Sequence, residues 1–396
     1  MAHQTGYNTT VVYEAESAFD TPASGAGGFV FRANASPGMK LDRALIESGE
    51  IRSDGKPQAT RLGSKSLAAT YEADLSVGTF DPLLEAITRG TWQAAVAITQ
   101  TAMTSVTTGA NTIVASAGSW ITQGVRVGDI IRGTGFPDAG NNGRNLRVTG
   151  VVTLTITVAE TLVVNASPDS AFTVTILKKL IMGTTPVRRS FTFEEQQGDL
   201  TFSKQGSGLR VSSLRLVGQP NGMAKITLGL VGADMVSAVS PIFTTPTLTT
   251  SIGLTWLDAA VRVNGVDRLN LTGFDMLFDI GAEGLPVLGS NKTPDVFEDR
   301  AKITGSFSST LTGDSDLLAL IAETEFEFQA GFVEPDSEPK DGIWLFMPRL
   351  KYTGHDDSGI GQKGAKIVTL PWYAATKGAG VTGYDDSPLS ILTSAA

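Results

Sequence analysis

The sequence predicts a mainly β protein: two tandem β-barrel or sandwich domains, each with one flanking helix, plus a small all-β domain inserted into the first. Three observations predict it. The stretch "LAATYEADLSVGTFDPLLEAI" (67–87) returns in altered form as "ITGSFSSTLTGDSDLLALI" (303–321). A second pair of segments, "GMAKITLGLVGAD" (222–234) and "KGAKIVTLPWYAA" (363–375), follows in the same order. Between the two segments of the first copy lie residues 93–185, rich in Val, Ile and Thr, for which the second copy has no counterpart.

Within the first copy, Leu67, Ala69, Tyr71, Ala73, Leu75 and Val77 alternate with Ala68, Thr70, Glu72, Asp74 and Ser76. This period of two marks a strand with one buried face. The period then changes: Asp81 is placed to cap a helix, Pro82 suits its first turn, Leu83, Leu84 and Ile87 share a face, and Gly90 stops it. In the second copy, Ile303, Phe307 and Leu311 stand 236 positions after Leu67, Tyr71 and Leu75, with small Gly305 and Ser309 in the places of alanines. Leu317, Leu318 and Ile321 match Leu83, Leu84 and Ile87 at 234 positions, so the connecting turn is two residues shorter. Ala224-Lys225-Ile226 matches Ala365-Lys366-Ile367 at 141 positions, and the fall from 234 to 141 measures an insertion of about 93 residues.

The inserted stretch offers the strand candidates "ANTIVASAG", "VRVGDIIRGTGF", "NLRVTGVVTLTITV" and "SAFTVTILKKL", with "NNGR" (141–144) as a turn between two of them. It reads as a small β barrel or sandwich whose ends must lie close together. The expected units are therefore 1–92 with 186–240, the insert at 93–185, and 241–396.

Composition narrows the function. Of 396 residues, 41% are hydrophobic and 18% charged, as in a globular chain with a quiet surface, and 44 glycines suit many tight turns. There is no cysteine, and His3 and His355 are the two histidines, which leaves little material for thiolate or imidazole metal sites or His-based triads. The N-terminus carries no basic stretch followed by an apolar core, and no apolar run reaches the roughly 18 residues of a membrane span, so cytosolic synthesis is expected. The formal charge of −9 opposes general binding to nucleic acid, which needs clustered cations to replace phosphate counterions.

No local motif points to catalysis, a cofactor or a metal. "GHDDSGIG" (354–361) reads as a solvated turn, because neighbours on a loop do not face one another as a triad requires. "TGDSDLL" (312–318) lacks the Gly and Glu of a calcium loop and reads as helix capping. No phosphate-cradling glycine motif occurs, and the Asn-x-Ser/Thr triplets at Asn8, Asn34, Asn165, Asn270 and Asn291 read as loop polar residues. The 40 acids, five Trp and six Tyr show no telling cluster for sugar cleavage or binding, and scattered core and surface use is the reading here. The loop "SGEIRSDGKPQATRLGSKS" (48–66) concentrates Arg52, Lys56, Arg61 and Lys65 in an acidic chain. Two readings stand: a solvated loop, or an arm that meets an acidic surface on a neighbouring copy.

The phrase "ESGEIRSDGKPQATRLGSKSLAATYEADLSVGTFDPLLEAITRGTW" (47–92) resembles the N-terminal signature of the major tail tube proteins of long-tailed bacteriophages, and 187–235 and 255–375 are similar to the rest of that family. The insert, through "VGDIIRGTGFPDAGNNGRNLRVTGV", resembles small β domains carried on the outside of phage particles. The resemblance implies a structural virion protein without enzymatic activity, made in the host cytoplasm and assembled into the tail. Its units close into rings that stack as the tube through which DNA leaves, with tape-measure, tail-tip and tail-terminator proteins as partners. Two copies per chain imply that three chains supply six units.

A duct for DNA should not grip it, and an acidic or neutral lining avoids counterion-release attraction. Glu72 and Asp74 in one copy, and Thr304, Ser306, Ser308 and Thr310 in the other, are the candidate lumen residues; those faces could equally lie under the helix or against the next ring. Arg52, Lys56, Arg61 and Lys65 are the candidate contacts between rings. The alternative is a carbohydrate-binding or glycan-cleaving tail protein whose insert meets the host surface.

Overall fold

A computed structural model describes residues 3–335, 339–361, 363–378 and 380–395. The chain opens with β1 (Thr9–Ala15), β2 (Phe29–Phe31), β3 (Gly38–Ile46), β4 (Arg61–Asp74) and helix α1 (Asp81–Thr88). Eight short strands follow: β5 (Val96–Thr99), β6 (Val106–Thr108), β7 (Thr112–Ala115), β8 (Ile130–Thr134), β9 (Asn145–Val151), β10 (Thr155–Val158), β11 (Asn165–Asp169) and β12 (Thr173–Ile176), with the one-turn helix α2 (Gln100–Met103) after β5. They form a separate sheet ordered β11-β6-β7-β10-β9-β8-β12-β5, around a core that includes Ile113, Trp120, Ile131, Leu146, Ile156 and Val174. The "NNGR" turn lies between β8 and β9. Gln93 and Lys179 exchange backbone hydrogen bonds of 2.8 and 3.1 Å, so the two ends of this segment are neighbours and its host is barely disturbed.

The chain then returns as β13 (Lys178–Ile181), β14 (Phe191–Gln197), β15 (Phe202–Gly218), β16 (Lys225–Gly232) and β17 (Asp234–Ala238). The second copy comprises β18 (Ala259–Val263), β19 (Val266–Asp267), β20 (Leu271–Asp279), β21 (Glu283–Gly284), β22 (Val296–Phe297), β23 (Lys302–Thr310), helix α3 (Ser315–Ile321), β24 (Phe326–Val333), β25 (Gly342–Tyr352), β26 (Asp356–Asp357), β27 (Ile367–Ala374) and β28 (Ser390–Thr393). Antiparallel ladders run β1-β14-β15-β16-β4-β3 in the first copy. In the second they run β18-β24-β25-β27-β23-β20, the same order with each strand in the corresponding place.

Long strands make this layout possible. β15 pairs with β14 and β17 through its first half and with β16 through its second, changing layer at a register shift between Val211 and Ser213. Such bulges bend a strand so that one chain segment can serve two walls. Between the walls, Phe193 stacks on Tyr71 at 5.4 Å and on Tyr13 at 5.3 Å. In the second copy Phe328 lies 4.9 Å from Phe307 and 5.4 Å from Phe274. The repeated Phe-x-Phe of β14 and β24 (Phe191 and Phe193; Phe326 and Phe328) is thus a third matched segment that the sequence comparison passes over.

The ladders correct one alignment. Tyr71 faces Leu228 and Phe307 faces Leu370, so β16 and β27 correspond at 142 positions (228 to 370), not 141. Buried Ile226 therefore matches buried Val368, whereas half-buried Ile367 faces the other way. A slip of one residue inverts every side chain of a strand, so burial decides the register where letter identity misleads.

The helices also differ from expectation. Phe80, not Asp81, is the N-cap of α1; Asp81 sits in the first turn beside Pro82 and takes an ion pair from Lys178 at 3.0 Å. The helix ends at Arg89 in the left-handed region (φ 53°). Gly90 is needed because a Cβ there would lie 2.1 Å from the carbonyl oxygen of Ile181. α3 starts after Asp314, whose backbone oxygen, not its side chain, receives the helix's N–H from Leu318. Leu83, Leu84 and Ile87 are buried, but none of the residues of α3 is.

The inserted sheet is fastened to the second copy. Ile130 and Leu177 pack with Trp344 and Leu392, and Gly128 at φ +91° leaves room for the Phe346 ring, which a Cβ would approach to 2.2 Å. Beside this contact, buried Lys179 donates to Asp129 and Asp385, each at 2.9 Å. Burial pushes the Asp129 carboxyl up to about 6 even with Lys179 beside it. Lys179→Met leaves two acids in a buried site without their cation, and a loss of about 3–5 kcal/mol is expected in urea unfolding at pH 7. A carboxyl raised by burial favours the folded state at low pH and loses that advantage as pH rises through its folded value. The penalty of Lys179→Met should therefore shrink as pH falls from 7 towards 4; an equal midpoint for both proteins at pH 7 would remove the triad as a fastening.

Candidate functional site

The two copies are not separate beads. Ser213–Gly218 of β15 pair with Asp279–Phe274 of β20, which joins the copies into one sheet ordered β3-β4-β16-β15-β20-β23-β27-β26. One side of this sheet is apolar and carries the core; side chains alternate across it as the pleat requires. The opposite side is largely polar and open.

Every candidate lumen residue falls on that open side. One cross-strand row runs Glu72, Thr227, Arg215, Leu277, Thr304; the next runs Asp74, Lys225, Val217, Asp275, Ser306. Ser308 and Thr310 continue the face opposite Thr369 and Ile367. Bases lie among these six on the same face. Lys225 pairs with Glu72 at 3.0 Å, Arg215 with Asp275 at 2.5 Å, and Lys40 with Asp42 at 2.7 Å. The carboxylate hydrogen bond raises the affinity of Arg215 and Lys225 for their protons, so both stay cationic but neutralised by a neighbour on the same face. Alternation of polar residues was the available signal for β15, β16 and β20 as it was for β4 and β23.

The basic loop residues separate. Arg52 is held by Asp54 within the loop at 2.7 Å, Lys56 is exposed, and Arg61 opens β4 opposite Ile46. Lys65 turns inward to buried Asp234 at 2.5 Å. The apolar Leu45, Ile46, Ile51 and Leu62 around this arm are exposed. The corresponding arm of the second copy, residues 280–301, instead folds across the seam onto the first copy. There Asp295 pairs with Arg210 at 3.0 Å and Arg188 at 3.2 Å, and Glu298 approaches Arg188 at 3.8 Å and Arg89 at 3.9 Å. Desolvation raises the Glu298 carboxyl and lowers the Arg210 guanidinium, as expected for charges whose side chains are buried under an arm.

"GHDDSGIG" is more than a turn: Asp356 and Asp357 pair with Thr369 and Val368 as the outermost strand of the open-faced sheet. His355 Nδ1 lies 3.7 Å from Asp357. Among the described residues no group of three or more His, Asp or Glu is placed to hold a metal ion, and no helix is long and apolar enough to cross a membrane.

The sheet that joins the two copies thus presents a largely polar face on which Glu72, Asp275 and Asp42 are paired with bases. A family model described as phage tail tube protein matches residues 6–374. The chain belongs to the phage tail tube protein family. No curated protein matches it. As a tail tube protein it is a structural component of the virion tail, and its β-rich fold is that of the family to which the sequence pointed.

In this tail tube protein the linker between the copies is pinned by Glu194. Its carboxylate accepts hydrogen bonds from the backbone N–H groups of Ile242 (2.9 Å) and Phe243 (3.1 Å), and from Ser203 (2.8 Å), Gln205 (2.9 Å) and Gln196 (2.9 Å). Desolvation opposes ionisation here, yet these donors hold the carboxyl below the usual range. A depressed carboxyl stabilises the fold above its unfolded value, and the benefit disappears as pH falls through the depressed one. Glu194→Gln turns an amide N–H₂ towards groups that themselves donate and should cost about 2–4 kcal/mol at neutral pH. The difference from the parent protein, read by urea unfolding, should narrow in acid.

Proposed function

We propose that this protein polymerises as stacked rings, each of three chains carrying six similar units, and that the open polar face lines the channel through which DNA passes into the host. The proposed units are 1–92 with 186–240, the insert at 93–185 on the tube exterior, and 241–396. The single observation that carries the reading is the sheet that runs unbroken through both copies with one largely polar face. A sheet with one apolar and one largely polar face offers one side to the core and one to a lumen, and it ends in two free edges that a closed ring would remove.

Glu72, Asp74, Thr304, Ser306, Ser308 and Thr310 line the channel in this reading. The acids on that face (Asp42, Glu72, Asp74, Asp275, Asp279 and Asp356) outnumber its bases (Lys40, Arg215, Lys225, Lys302 and Lys351). Such a wall releases no counterions from DNA and lets it slide. Arg52, Lys56 and Arg61 reach the neighbouring ring, with Lys65 anchoring the root of their arm on Asp234. Stacking of this kind needs a heterologous contact that repeats without closing, alongside the closed contact of the ring. Length is set by a tape-measure protein, and tail-tip and terminator proteins close the ends.

Electron microscopy of the purified protein at high concentration, seeded with tail-tip components, tests the assembly. End-on averages should show six lobes around an open channel and native mass spectrometry three chains per ring. Compact particles without a channel would overturn the proposal. The lining is tested by Thr304→Lys with Ser306→Lys: tubes should still form but retain DNA in low salt and release it as salt rises.

A further inference from the structure

Besides the β13–β28 ladder and the arm at 280–301, two parts of the seam between the copies have counterparts at the ends of the chain. One is the β15–β20 ladder. The other is α1, whose Leu84 and Ile87 line one cavity with Met276 and Phe278 of β20 and Ile343 and Leu345 of β25. Each end of the chain presents one half of the same seam without its partner. At one end, β26 pairs only with β27, and at the other β3 pairs only with β4, among the described residues. α3 lies against the end of β25, where the Tyr352 hydroxyl donates to Asp316 at 3.3 Å just before the first of these edges, with Leu317, Leu318 and Ile321 exposed at 38, 54 and 70%, where their counterparts Leu83, Leu84 and Ile87 are at 0, 6 and 0%.

The ladders convert this into a register. Asp356 faces Thr369 as Arg215 faces Thr227, so Asp356 holds the place of Arg215. Lys40 faces Ala68 as Leu277 faces Thr304, so Lys40 holds the place of Leu277. Arg215 and Leu277 are directly opposite each other across the seam inside the chain.

We propose that the edge at 354–359 of one chain pairs antiparallel with β3 of a second copy of this chain, with Asp356 opposite Lys40, and that α3 of the first chain seats its apolar face on Leu41, Phe202 and Met235 of the second. This rests on the ring reading above and names its closing surface. Leu41, Phe202 and Met235 are half-buried and hold the positions of Phe278, Ile343 and Leu389, the apolar groups around α1. Asp356 and Lys40 are exposed and opposite in charge, and opposite charges facing across a ladder favour one register over its neighbours. Because the internal seam sets Arg215 against Leu277, the two seams carry different pairs, which keeps the copies alternating around the ring.

The chain has no cysteine, so paired cysteines report the register directly. Lys40→Cys with Asp356→Cys puts two thiols opposite each other on one face, and mild oxidation of assembled protein should yield covalent dimers and closed trimers. Lys40→Cys with Asp357→Cys puts them on opposite faces and should yield neither. Ile321→Asp, at a residue exposed in the single chain, should leave the thermal unfolding of the chain unchanged and abolish rings. Rings without the 40–356 cross-link, or with equal cross-linking of 40–357, would overturn the register. Rings formed normally by Ile321→Asp would overturn the seat of α3. An absence of rings from the parent protein would overturn the tube reading itself.

Discussion

The ladder between Ser213–Gly218 and Phe274–Asp279 is the constraint on which the rest of this structure depends. The β13–β28 ladder and the arm at 280–301 also join the copies, but the β15–β20 ladder is what merges their open faces. With it, the copies share one hydrogen-bonded sheet, and the orientation of each open face is set by the other. The cost of ordering a long linker is offset by contacts that run continuously across the seam: backbone pairing, the apolar side of α1, and the arm at 280–301 clamped by Arg89, Arg188 and Arg210. Glu194 holds the start of the linker at Ile242 and Phe243, so the chain leaves the first copy in a fixed direction.

Polar residues have two separate uses around this sheet. Buried ones are fastenings: Lys179 between Asp129 and Asp385 ties the inserted sheet to the body, and Glu195 receives the Tyr71 hydroxyl at 3.0 Å and the Met39 N–H at 2.7 Å beneath β3 and β4. Removing one partner from such a group leaves an unsatisfied charge in a low-dielectric interior. On the open face the pairs are exposed and contribute little to stability. In the proposed channel they cancel the attraction that free lysines and arginines would exert on a polyanion.

Duplication with divergence accounts for the asymmetry of the molecule. The two copies keep their strand order and stacked aromatics, yet differ where they meet other surfaces. One helix is buried at the internal seam and the other has its apolar face exposed. One arm is folded back on acid–arginine pairs and the other is free, basic and apolar-tipped. Only the first copy carries the extra sheet.

Alternation at 67–77, the change of period at Asp81, and the return of both at Ile303 were enough to establish strands, a helix and a repeat, because side-chain periodicity is a local property of the backbone. The same alternation put Glu72, Asp74, Thr304, Ser306, Ser308 and Thr310 on the polar sides of their strands. It could not show that both strands belong to one sheet, since that is decided by β15 and β20, far apart in sequence and unremarkable in composition. Letter identity at Ala224-Lys225-Ile226 misled by one residue, because only cross-strand pairing and burial report which face a strand turns inward. The helical pattern of Leu317, Leu318 and Ile321 was legible and their exposure was not: an amphipathic face states that it needs a cover, and only the arrangement of the whole chain decides whether that cover is present.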